Sequence, residues 1–277
     1  SEYSESNIMI TATHTHATPG GITHQSLYNI TTLGFHQDTF NAQVEGTMKA
    51  VRQATKDLAP GNLTVSTSKL TGVGVNRSRE AYNRDSQELR SKLPNGTDPT
   101  NMTLRLERNG KTRAVLNWYA LHPTSLTSKN TLISSDNKGY AEYLLENQDH
   151  GIDRNVPGSG DGFVAAFANA NAGDVSPNTW LKPGQGPTKD DHQNLKIQGQ
   201  KQADAVRAQL KNAGNPVGTG LDSRISYFNF SGMNVDAKYT GTGRNERTCQ
   251  GFLGTAFGAG STEDGGGGWD VYKEGSG

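Results

Sequence analysis

The sequence has little cysteine and no long apolar run. Cys249 is the only cysteine among 277 residues, so no disulfide can form within the chain. No apolar stretch approaches the roughly 18 residues that a membrane-spanning helix needs. The chain does not begin with methionine, and no charged segment followed by an apolar one opens it. We therefore expect any targeting signal to lie outside this sequence.

Net charge and aromatic side chains are also scarce. The 27 basic residues balance 27 acidic ones, and aromatic residues make up 7% of the chain. No basic cluster with interleaved aromatics occurs, so we expect no nucleic acid among the partners. The balanced charge likewise provides no electrostatic attraction to anionic membranes.

Apolar residues are few, whereas glycine is plentiful. The hydrophobic fraction is 32%, the mean hydropathy is −0.71 and 34 residues are glycine, which predicts many turns and loops. A chain of this length can still bury a sizeable core. N-x-S/T sequons, which permit secretion without establishing it, occur at Asn29, Asn62, Asn76, Asn95, Asn101 and Asn229.

Periodicity along the chain predicts both strands and helices. Alternating residues predict strands over residues 62–70, 102–108, 112–122 and 223–230, and helical spacing predicts helices over 42–58, 138–147 and 192–213. Asn109-Gly110 has the residues of a type I′ turn, so the second and third strands form a hairpin. The tail from Gly251 is expected to be loop. The predicted fold class is mixed α/β, with central β-strands, covering helices and long loops.

The stretch from Asn7 to Gly21, NIMITATHTHATPGG, is the first to carry chemistry. Ile8 and Ile10 belong to an alternating run that is typical of a short, largely buried strand. Residues i and i+2 of a strand point to one side, so we expect His14 and His16 to project together. Imidazole is the commonest metal ligand, and two at a strand end favour metal binding or acid–base work over a structural role.

Two later stretches place polar residues after predicted strands. His122-Pro123 ends the hairpin's second strand, because proline cannot donate to the ladder. The apolar run after Gly162 leads into NAGDVSPN, which carries Asp174 and Ser176. Ligand sites gather at the carboxyl ends of strands in open α/β sheets. We therefore expect these residues to converge with the first two histidines.

This combination of residues suits metal-assisted hydrolysis. Catalytic zinc takes histidine nitrogens and carboxylate oxygens and keeps one position for water, whose pKa falls toward about 7. Ser176 lies among small and turn-forming residues, so we expect its hydroxyl to be exposed as a nucleophile or as a donor to an oxyanion. An arginine such as Arg77 can hold a developing negative charge.

Each of these residues also has an ordinary structural interpretation. His122 can simply end a strand, Ser176 before a proline is typical of a turn, and Arg77 in NRSR is typical of a solvated surface. Ser176 does not lie in G-x-S-x-G, so no nucleophile elbow is predicted. GSGDG at residues 158–162 lacks the Lys-Ser/Thr ending of a phosphate loop, and we expect a flexible loop there.

A set of longer motifs runs through nearly the whole chain. They are ATHTHATPGG with LGFHQDTFNA downstream, NRS at 76–78, NWYALHPTSL at 117–126, ISSDNKGYA at 133–141, FVAAFANANAGDVSPN at 163–178, LKPGQGP at 181–187 and GAGSTEDG at 258–265. In this order they resemble the neutral (non-lysosomal) ceramidase family of zinc-dependent amidases. The resemblance is far more specific than any single motif.

The resemblance implies a role for each candidate residue. His14 and His122 match the family's first two zinc ligands, so Zn²⁺ is the implied cofactor. His16 and Arg77 match active-site residues that contact the substrate or the reacting carbonyl. Ser176 matches the serine proposed as nucleophile, and the choice between serine and zinc-bound water stays open. The implied reaction cleaves the amide of ceramide to give sphingosine and a fatty acid.

The resemblance also implies that the sequence is incomplete. The family's remaining zinc ligands, a glutamate and a tyrosine, lie in a C-terminal continuation, and Glu263 and Glu274 are not substitutes on motif grounds. Two protein ligands are too few for a tight catalytic zinc site. We therefore expect residues 1–277 to be an internal fragment of a ceramidase-type catalytic domain, without its N-terminal start and its continuation, and inactive alone.

Two motifs depart from the family's pattern, since Ala17-Thr18 replaces the Ser-Gly of THTHSGPGG and the REAY after NRS is atypical, and we expect both to alter the substrate entrance. Two alternative functions remain open. One is a secreted binding or structural module on the same scaffold, without turnover. The other is a zinc hydrolase of the amidohydrolase type, which predicts a barrel with further metal ligands on later strands. Family resemblance implies a secreted protein or one on an outer membrane face, with peripheral contact to the lipid surface that holds ceramide.

Overall fold

The structure, a computed structural model, describes residues 3–93, 95–218, 220, 222–251, 254–266 and 272–275. These residues form two compact units. The larger unit comprises the described residues of Thr11–Arg77 and Gln87–Val217, and the smaller unit comprises those of Ser1–Ile10, Ser78–Ser86 and Gly218–Gly277. All five predicted site residues lie in the larger unit.

Strands and helices alternate irregularly along the chain. The strands are β1 (Asn62–Lys69), β2 (Val75–Asn76), β3 (Thr100–Arg108), β4 (Lys111–Tyr119), β5 (Val164–Asn169), β6 (Val175–Ser176), β7 (Asn215–Pro216), β8 (Asn234–Val235) and β9 (Glu246–Arg247). The α-helices are α1 (Gln37–Lys56), α2 (Arg79–Tyr82), α3 (Gln87–Lys92), α4 (Asp136–Tyr143), α5 (Asp191–Leu210), α6 (Ala237–Thr240) and α7 (Thr255–Ala259). A 3₁₀ turn, Ser26–Asn29, precedes α1, and a π-helical turn, Leu144–Asp149, continues α4.

A five-stranded sheet in the order β5-β4-β3-β1-β7 forms the centre of the larger unit. β1, β3, β4 and β7 pair antiparallel, whereas β4 and β5 pair parallel, with Tyr119 opposite Asn169. A separate two-stranded ladder joins β2 to β6. The parallel pair brings the carboxyl ends of β4 and β5 to the same edge, and the chain beyond them carries His122 and Ser176.

The hairpin between β3 and β4 forms at the predicted turn. Asn109 and Gly110 have φ angles of 52° and 70°, as both central residues of a type I′ turn require. Along β4 the buried residues are Val115, Asn117 and Tyr119, which follow the two-residue period of a strand with one face on the core. The local sequence therefore specifies both the turn and the inward face.

The main hydrophobic core lies between the sheet and the helices α4 and α5. Val115 and Phe167 of the sheet pack there with Leu144, Ala203 and Val206 from the helical layer. α5 begins after Asp190, whose carboxylate accepts a hydrogen bond from the Gln193 N–H at 2.8 Å, a typical N-cap. Burying the larger apolar side chains of this core stabilises the packing of the sheet against the helices by about 2 kcal/mol for each side chain.

The outer edge of β5 is covered by carboxylates. The Ala165 N–H donates to Glu146 Oε1 and the Phe167 N–H donates to Glu142 Oε1, each at 3.0 Å. Arg154 lies across both carboxylates, 2.7 Å from Glu146 Oε2 and 3.3 Å from Glu142 Oε2. The helical layer thus supplies the acceptors that another strand would supply, and the edge is closed to further pairing.

Most predicted elements are present with shifted ends. The predicted strand 62–70 is β1, and the predicted helix 192–213 is α5, which ends earlier, at Leu210. The helix predicted over 42–58 begins sooner, at Gln37, and the one near 138–147 is divided between α4 and its π-helical turn. The mixed α/β class, with covering helices and long loops, is confirmed.

Several local predictions are wrong. Residues 8–11 and 223–230 form no strand in the part of the chain that the structure describes, and Met9, Ile10 and Tyr227 are largely exposed. An alternating pattern makes a strand only where a partner strand and a packed face meet it. β4 ends at Tyr119, before His122, because the chain turns there toward β6. Part of the tail predicted as loop forms α7, while residues 252, 253 and 267–271 lie outside the described residues.

The smaller unit contains the two-residue strands β8 and β9, which pair antiparallel, and the short helices α2, α6 and α7. Glu274 accepts hydrogen bonds from the Ala81 N–H at 3.0 Å and from Thr262 Oγ1 at 2.7 Å. Its carboxylate therefore has a local structural use.

Among the described residues of the chain, no helix combines the length and apolar character needed to cross a bilayer.

Candidate metal centre

Three imidazoles lie together at the carboxyl end of the parallel strand pair. The candidate ligand nitrogens of His14, His16 and His122 all lie within 4.8 Å of one another, and His14 Nε2 is 3.2 Å from His16 Nε2. Two nitrogens bound to one tetrahedral zinc lie about 3.3–3.5 Å apart. The His14–His16 pair therefore has nearly the spacing of two ligands of one ion, and the cluster has the donor type of a transition-metal site.

His122 is held in one orientation by a single carbonyl. Its Nδ1 lies 3.0 Å from Val175 O, and its backbone N–H donates to the same oxygen at 2.9 Å. A carbonyl only accepts, so Nδ1 carries the proton and the lone pair of the neutral ring is on Nε2. A second-shell bond of this kind is usual for a metal-ligating histidine.

The environment of His122 keeps its imidazole neutral. Burial lowers the pKa of His122 from 6.5 to about 4, and the positive charge of Arg77 acts in the same direction, against the hydrogen bond to Val175. The side chain is 6% exposed. Since a metal ion binds only unprotonated imidazole, His122 is ready to bind metal throughout the neutral pH range.

His14 and His16 meet through a turn and not through strand alternation. His14 has a φ of 66°, in the left-handed region that non-glycine residues rarely adopt. Thr15 Oγ1 donates to Ser134 O at 2.7 Å and accepts from the Ala17 N–H at 3.2 Å, and the Ser134 N–H donates to Ala17 O at 2.9 Å. The predicted proximity is present, but the predicted strand is not its cause.

Arg77 reaches the cluster through the β2–β6 ladder. Val75 pairs with Ser176 in that ladder, and the Arg77 N–H donates to Asp174 O at 2.8 Å. The guanidinium Nε lies 3.8 Å from Asp174 Oδ1, a contact that contributes little to stability at a partly exposed position. The Arg77 side chain is 26% exposed, and its positive charge contributes to lowering the pKa of His122.

Ser176 lies beside the cluster with its side chain buried. It is 0% exposed, and its Oγ accepts a hydrogen bond from the Asn178 N–H at 3.1 Å. The expected exposure of this hydroxyl is therefore wrong, because β6 is enclosed by its pairing with β2. The carbonyl that orients His122 belongs to Val175, the residue directly before Ser176. Ser176 is therefore adjacent in the chain to a residue that forms a hydrogen bond with the cluster.

Sequence reasoning overlooked Lys138, which lies beneath the same strand ends. It is 0% exposed, and its Nζ donates to Tyr119 O and Ala168 O at 3.0 Å and to Gln202 Oε1 at 3.4 Å. Burial lowers the pKa of Lys138 to about 7. Within ISSDNKGYA the lysine carries no periodic signal, so its burial could be found only from the tertiary structure.

Among the residues that the structure describes, no acidic side chain joins the cluster. Among the described residues, the candidate ligands that come together are the three imidazoles alone. A catalytic zinc site commonly has three protein ligands and an open position. The donor set present therefore fits zinc by element and spacing, and it accommodates an additional oxygen ligand.

Known proteins of one family match nearly the whole chain. The family model described as "Neutral/alkaline non-lysosomal ceramidase, N-terminal" matches residues 1–277. The neutral ceramidase of Pseudomonas aeruginosa is 38% identical over 264 residues, which cover 95% of this chain and 38% of that protein. That of Mycobacterium tuberculosis is 38% identical over 275 residues, covering 99% and 42%. The chain thus spans about two fifths of the length of these curated relatives.

Solved structures give the same result at the level of the fold. A structure described as "Ceramidase complexed with C2" superposes with a TM-score of 0.83 at 37% identity, covering 96% of this chain and 40% of that one. The crystal structure of neutral ceramidase from Pseudomonas aeruginosa superposes with a TM-score of 0.78 at 34% identity, covering 95% and 39%. The larger proteins therefore share this mixed α/β architecture.

Proposed function

Because the chain belongs to the neutral/alkaline non-lysosomal ceramidase family, we propose that it is part of the catalytic domain of a zinc-dependent amidase. The substrate is ceramide, and cleavage of its N-acyl amide yields sphingosine and a fatty acid. The relatives named neutral ceramidase support the substrate class. The observation that carries the chemistry is the imidazole cluster, in which three candidate ligand nitrogens lie within 4.8 Å.

In this proposal His14 and His122 hold the zinc. The Val175 carbonyl accepts from Nδ1 of His122, which leaves the lone pair of Nε2 for a metal ion, and the lowered pKa of His122 keeps the ring neutral. His14 is placed opposite by its left-handed backbone. Zinc bound here supplies Lewis-acid polarisation of the amide carbonyl and activation of a water molecule at neutral pH.

His16 and Arg77 bind the reacting carbonyl and the negative charge that develops on it. His16 Nε2 lies 3.2 Å from His14 Nε2, so a group held by His14 is also within reach of His16. The positive charge of Arg77 contributes to lowering the pKa of His122, which supports a role for the guanidinium at the cluster. Donors and a cation fixed before the reaction stabilise an oxyanion without reorganisation.

Ser176 is the second candidate for nucleophile, besides water. Its Oγ accepts from the Asn178 N–H, which leaves the hydroxyl proton free to donate. A donor in this position suits hydrogen bonding to an oxyanion at least as well as it suits attack, which needs a base within reach. The two roles differ in what Ser176→Ala retains: some water-driven turnover in the first case, and none in the second.

The remaining zinc ligands come from a C-terminal continuation in this proposal, and residues 1–277 are a part of the catalytic domain that is inactive alone. No carboxylate among the described residues joins the three imidazoles, and Glu274 is bonded to Ala81 and Thr262. The chain covers 38% and 42% of two curated relatives. Both observations support completion of the site by other residues.

A secreted location or an outer membrane face fits a lipid substrate, with peripheral contact to the lipid surface. Of the sequon residues, Asn29 and Asn101 are buried at 6% and 1% exposure. In the folded protein the side chains of these two asparagines are too buried to carry a glycan. Glycosylation would therefore be found at the others, for example at the exposed Asn62, Asn95 and Asn229.

The product of the complete reading frame tests this proposal. Zinc content and ceramide turnover are measured for the wild type, His14→Ala and His122→Ala, with His192→Ala, an exposed histidine at the start of α5, as the matched control. We expect both cluster variants to lose zinc and turnover, and the control to keep both. Full zinc and full turnover in the cluster variants would refute the site.

The same assay separates the enzyme from a binding module without turnover. A wild-type protein that binds zinc and ceramide but releases no fatty acid would be such a module. We expect turnover in the wild type and a large fall in turnover, with zinc retained, in Ser176→Ala; residual turnover indicates the oxyanion-donor role, and its complete absence indicates the nucleophile. The fold already disfavours an amidohydrolase barrel, because the described central sheet is open, with five strands of mixed direction.

A further inference from the structure

We propose that Asn169 is a positioning residue that holds the His14–His16 turn against the segment carrying His122. The proposal rests on the zinc site of the proposed function and adds to it a residue with no role in binding or reacting. Asn169 is the last residue of β5 and lies between two chain segments that are far apart in sequence. One segment precedes His14 and the other precedes His122.

Both polar groups of the Asn169 side-chain amide form hydrogen bonds with the backbone of Leu121. Its Oδ1 accepts from the Leu121 N–H at 3.1 Å, and its Nδ2 donates to Leu121 O at 3.0 Å. The regular β4–β5 ladder ends at the pair Tyr119–Asn169, so the amide continues the pairing for the chain beyond β4. Leu121 is adjacent to His122 in the chain, so this contact fixes the position of the backbone from which the His122 side chain extends.

The other contacts of Asn169 are to the segment before His14. Its backbone N–H donates to Ala12 O at 2.9 Å, and its Nδ2 donates to Thr13 O at 3.3 Å. Thr13 is adjacent to His14. A single residue therefore bonds to the direct neighbour of each proposed zinc ligand, with the side-chain Nδ2 shared between the two segments.

Only an amide of this length has the required groups. Asparagine presents one acceptor and two N–H donors, and the structure uses the acceptor for Leu121 and the donors for Leu121 and Thr13. Aspartate has the same shape but no donor, so it releases Thr13 O and Leu121 O together. Zinc ligands must be placed within about 0.2 Å, and loss of the groups that orient them typically weakens metal binding 10–100-fold.

The test compares Asn169→Asp and the uncharged Asn169→Ala with wild type, in the product of the complete reading frame. Asn171→Asp is the matched control, since the exposed Asn171 lies two residues after Asn169 but donates to Asp98, at 3.0 Å. Zinc affinity is measured by competition with a chelator, and ceramide turnover is measured as a function of added zinc. Thermal unfolding of each variant provides the structural readout.

We expect both Asn169 variants to bind zinc 10–100-fold more weakly and to regain turnover to within a few-fold of wild type when zinc is in excess. A purely structural residue would not give a zinc-dependent rescue. Wild-type zinc affinity in both variants overturns the proposal, and so does an equal loss in Asn171→Asp. If His14→Ala and His122→Ala also keep their zinc, the proposed function fails; if they lose it while both Asn169 variants keep it, the positioning proposal alone is overturned.

Discussion

The carboxylate cover of β5 allows a quantitative prediction. Glu146 is 7% exposed, its Oε1 accepts from the Ala165 N–H and its Oε2 accepts from Arg154. Replacing Glu146 with leucine removes both acceptors, whereas glutamine keeps an oxygen for Ala165 and removes the charge. The two variants therefore separate the edge contact from the ion pair.

The contacts determine the expected cost of each change. An orphaned buried N–H costs about 1–3 kcal/mol, and a lost hydrogen bond to a charged group costs about 1.5–3 kcal/mol. Arg154 retains its ion pair with Glu142, at 3.3 Å. The cost of losing the contact between Arg154 and Glu146 therefore lies at the lower end of that second range. We expect Glu146→Leu to lose about 3 kcal/mol of unfolding free energy and Glu146→Gln about 1.5 kcal/mol.

Urea unfolding at neutral pH measures both values, and hydrogen exchange at the Ala165 amide locates the effect. Exchange should accelerate strongly in Glu146→Leu and only slightly in Glu146→Gln. The exposed Glu45 of α1 provides a control, because Glu45→Leu should stay within about 0.5 kcal/mol of wild type. Equal losses in the leucine and glutamine variants of Glu146 would show that the carboxylates do not close the strand edge.

Further predictions concern the site and its support. Thr15→Val, which removes the hydrogen bond to Ser134 O, should weaken zinc binding about tenfold in chelator competition; an unchanged affinity would contradict the role of this anchor. Lys138→Met leaves acceptors such as Tyr119 O without their donor and should cost about 2–3 kcal/mol in urea unfolding, and a stabilised variant would refute this. The lowered pKa of His122, about 4 against 6.5, means that the unfolded chain takes up this proton first. The metal-free protein should therefore lose at most about 3 kcal/mol as pH falls from about 6.5 to about 4, and His122→Gln, compared by urea unfolding at each pH, should lack this part of the pH dependence.

The elements that sequence analysis located correctly are those fixed by local physical chemistry. Asn109-Gly110 specifies its own turn because both residues tolerate positive φ. α5 is bounded by a capping carboxylate at Asp190 and follows a helical spacing of apolar residues. Neither feature needs information from a distant part of the chain, so both could be read from adjacent residues.

The failed predictions concern features that depend on partners. The alternating run around Ile8 and Ile10 has the pattern of a strand, but no described residue pairs with it in a β-ladder. The parallel pairing of β4 with β5, which determines where the site lies, joins residues about 50 positions apart and has no local signal. The burial of Lys138 and the hydrogen bonds of Asn169 follow from that pairing, so the sequence could name the candidate site residues but not the residues that support them.

The two sides of the imidazole cluster are supported unequally, and this affects what limits metal binding. His122 is buried, fixed by Val175 and next to a strand of the sheet, so its position is set by the folded core. His14 and His16 are exposed on a turn whose left-handed residue costs roughly 1–2 kcal/mol. A few hydrogen bonds, from Thr15 and Asn169, must offset that cost. Zinc affinity should therefore respond more to changes in the supports of this turn than to conservative changes around His122.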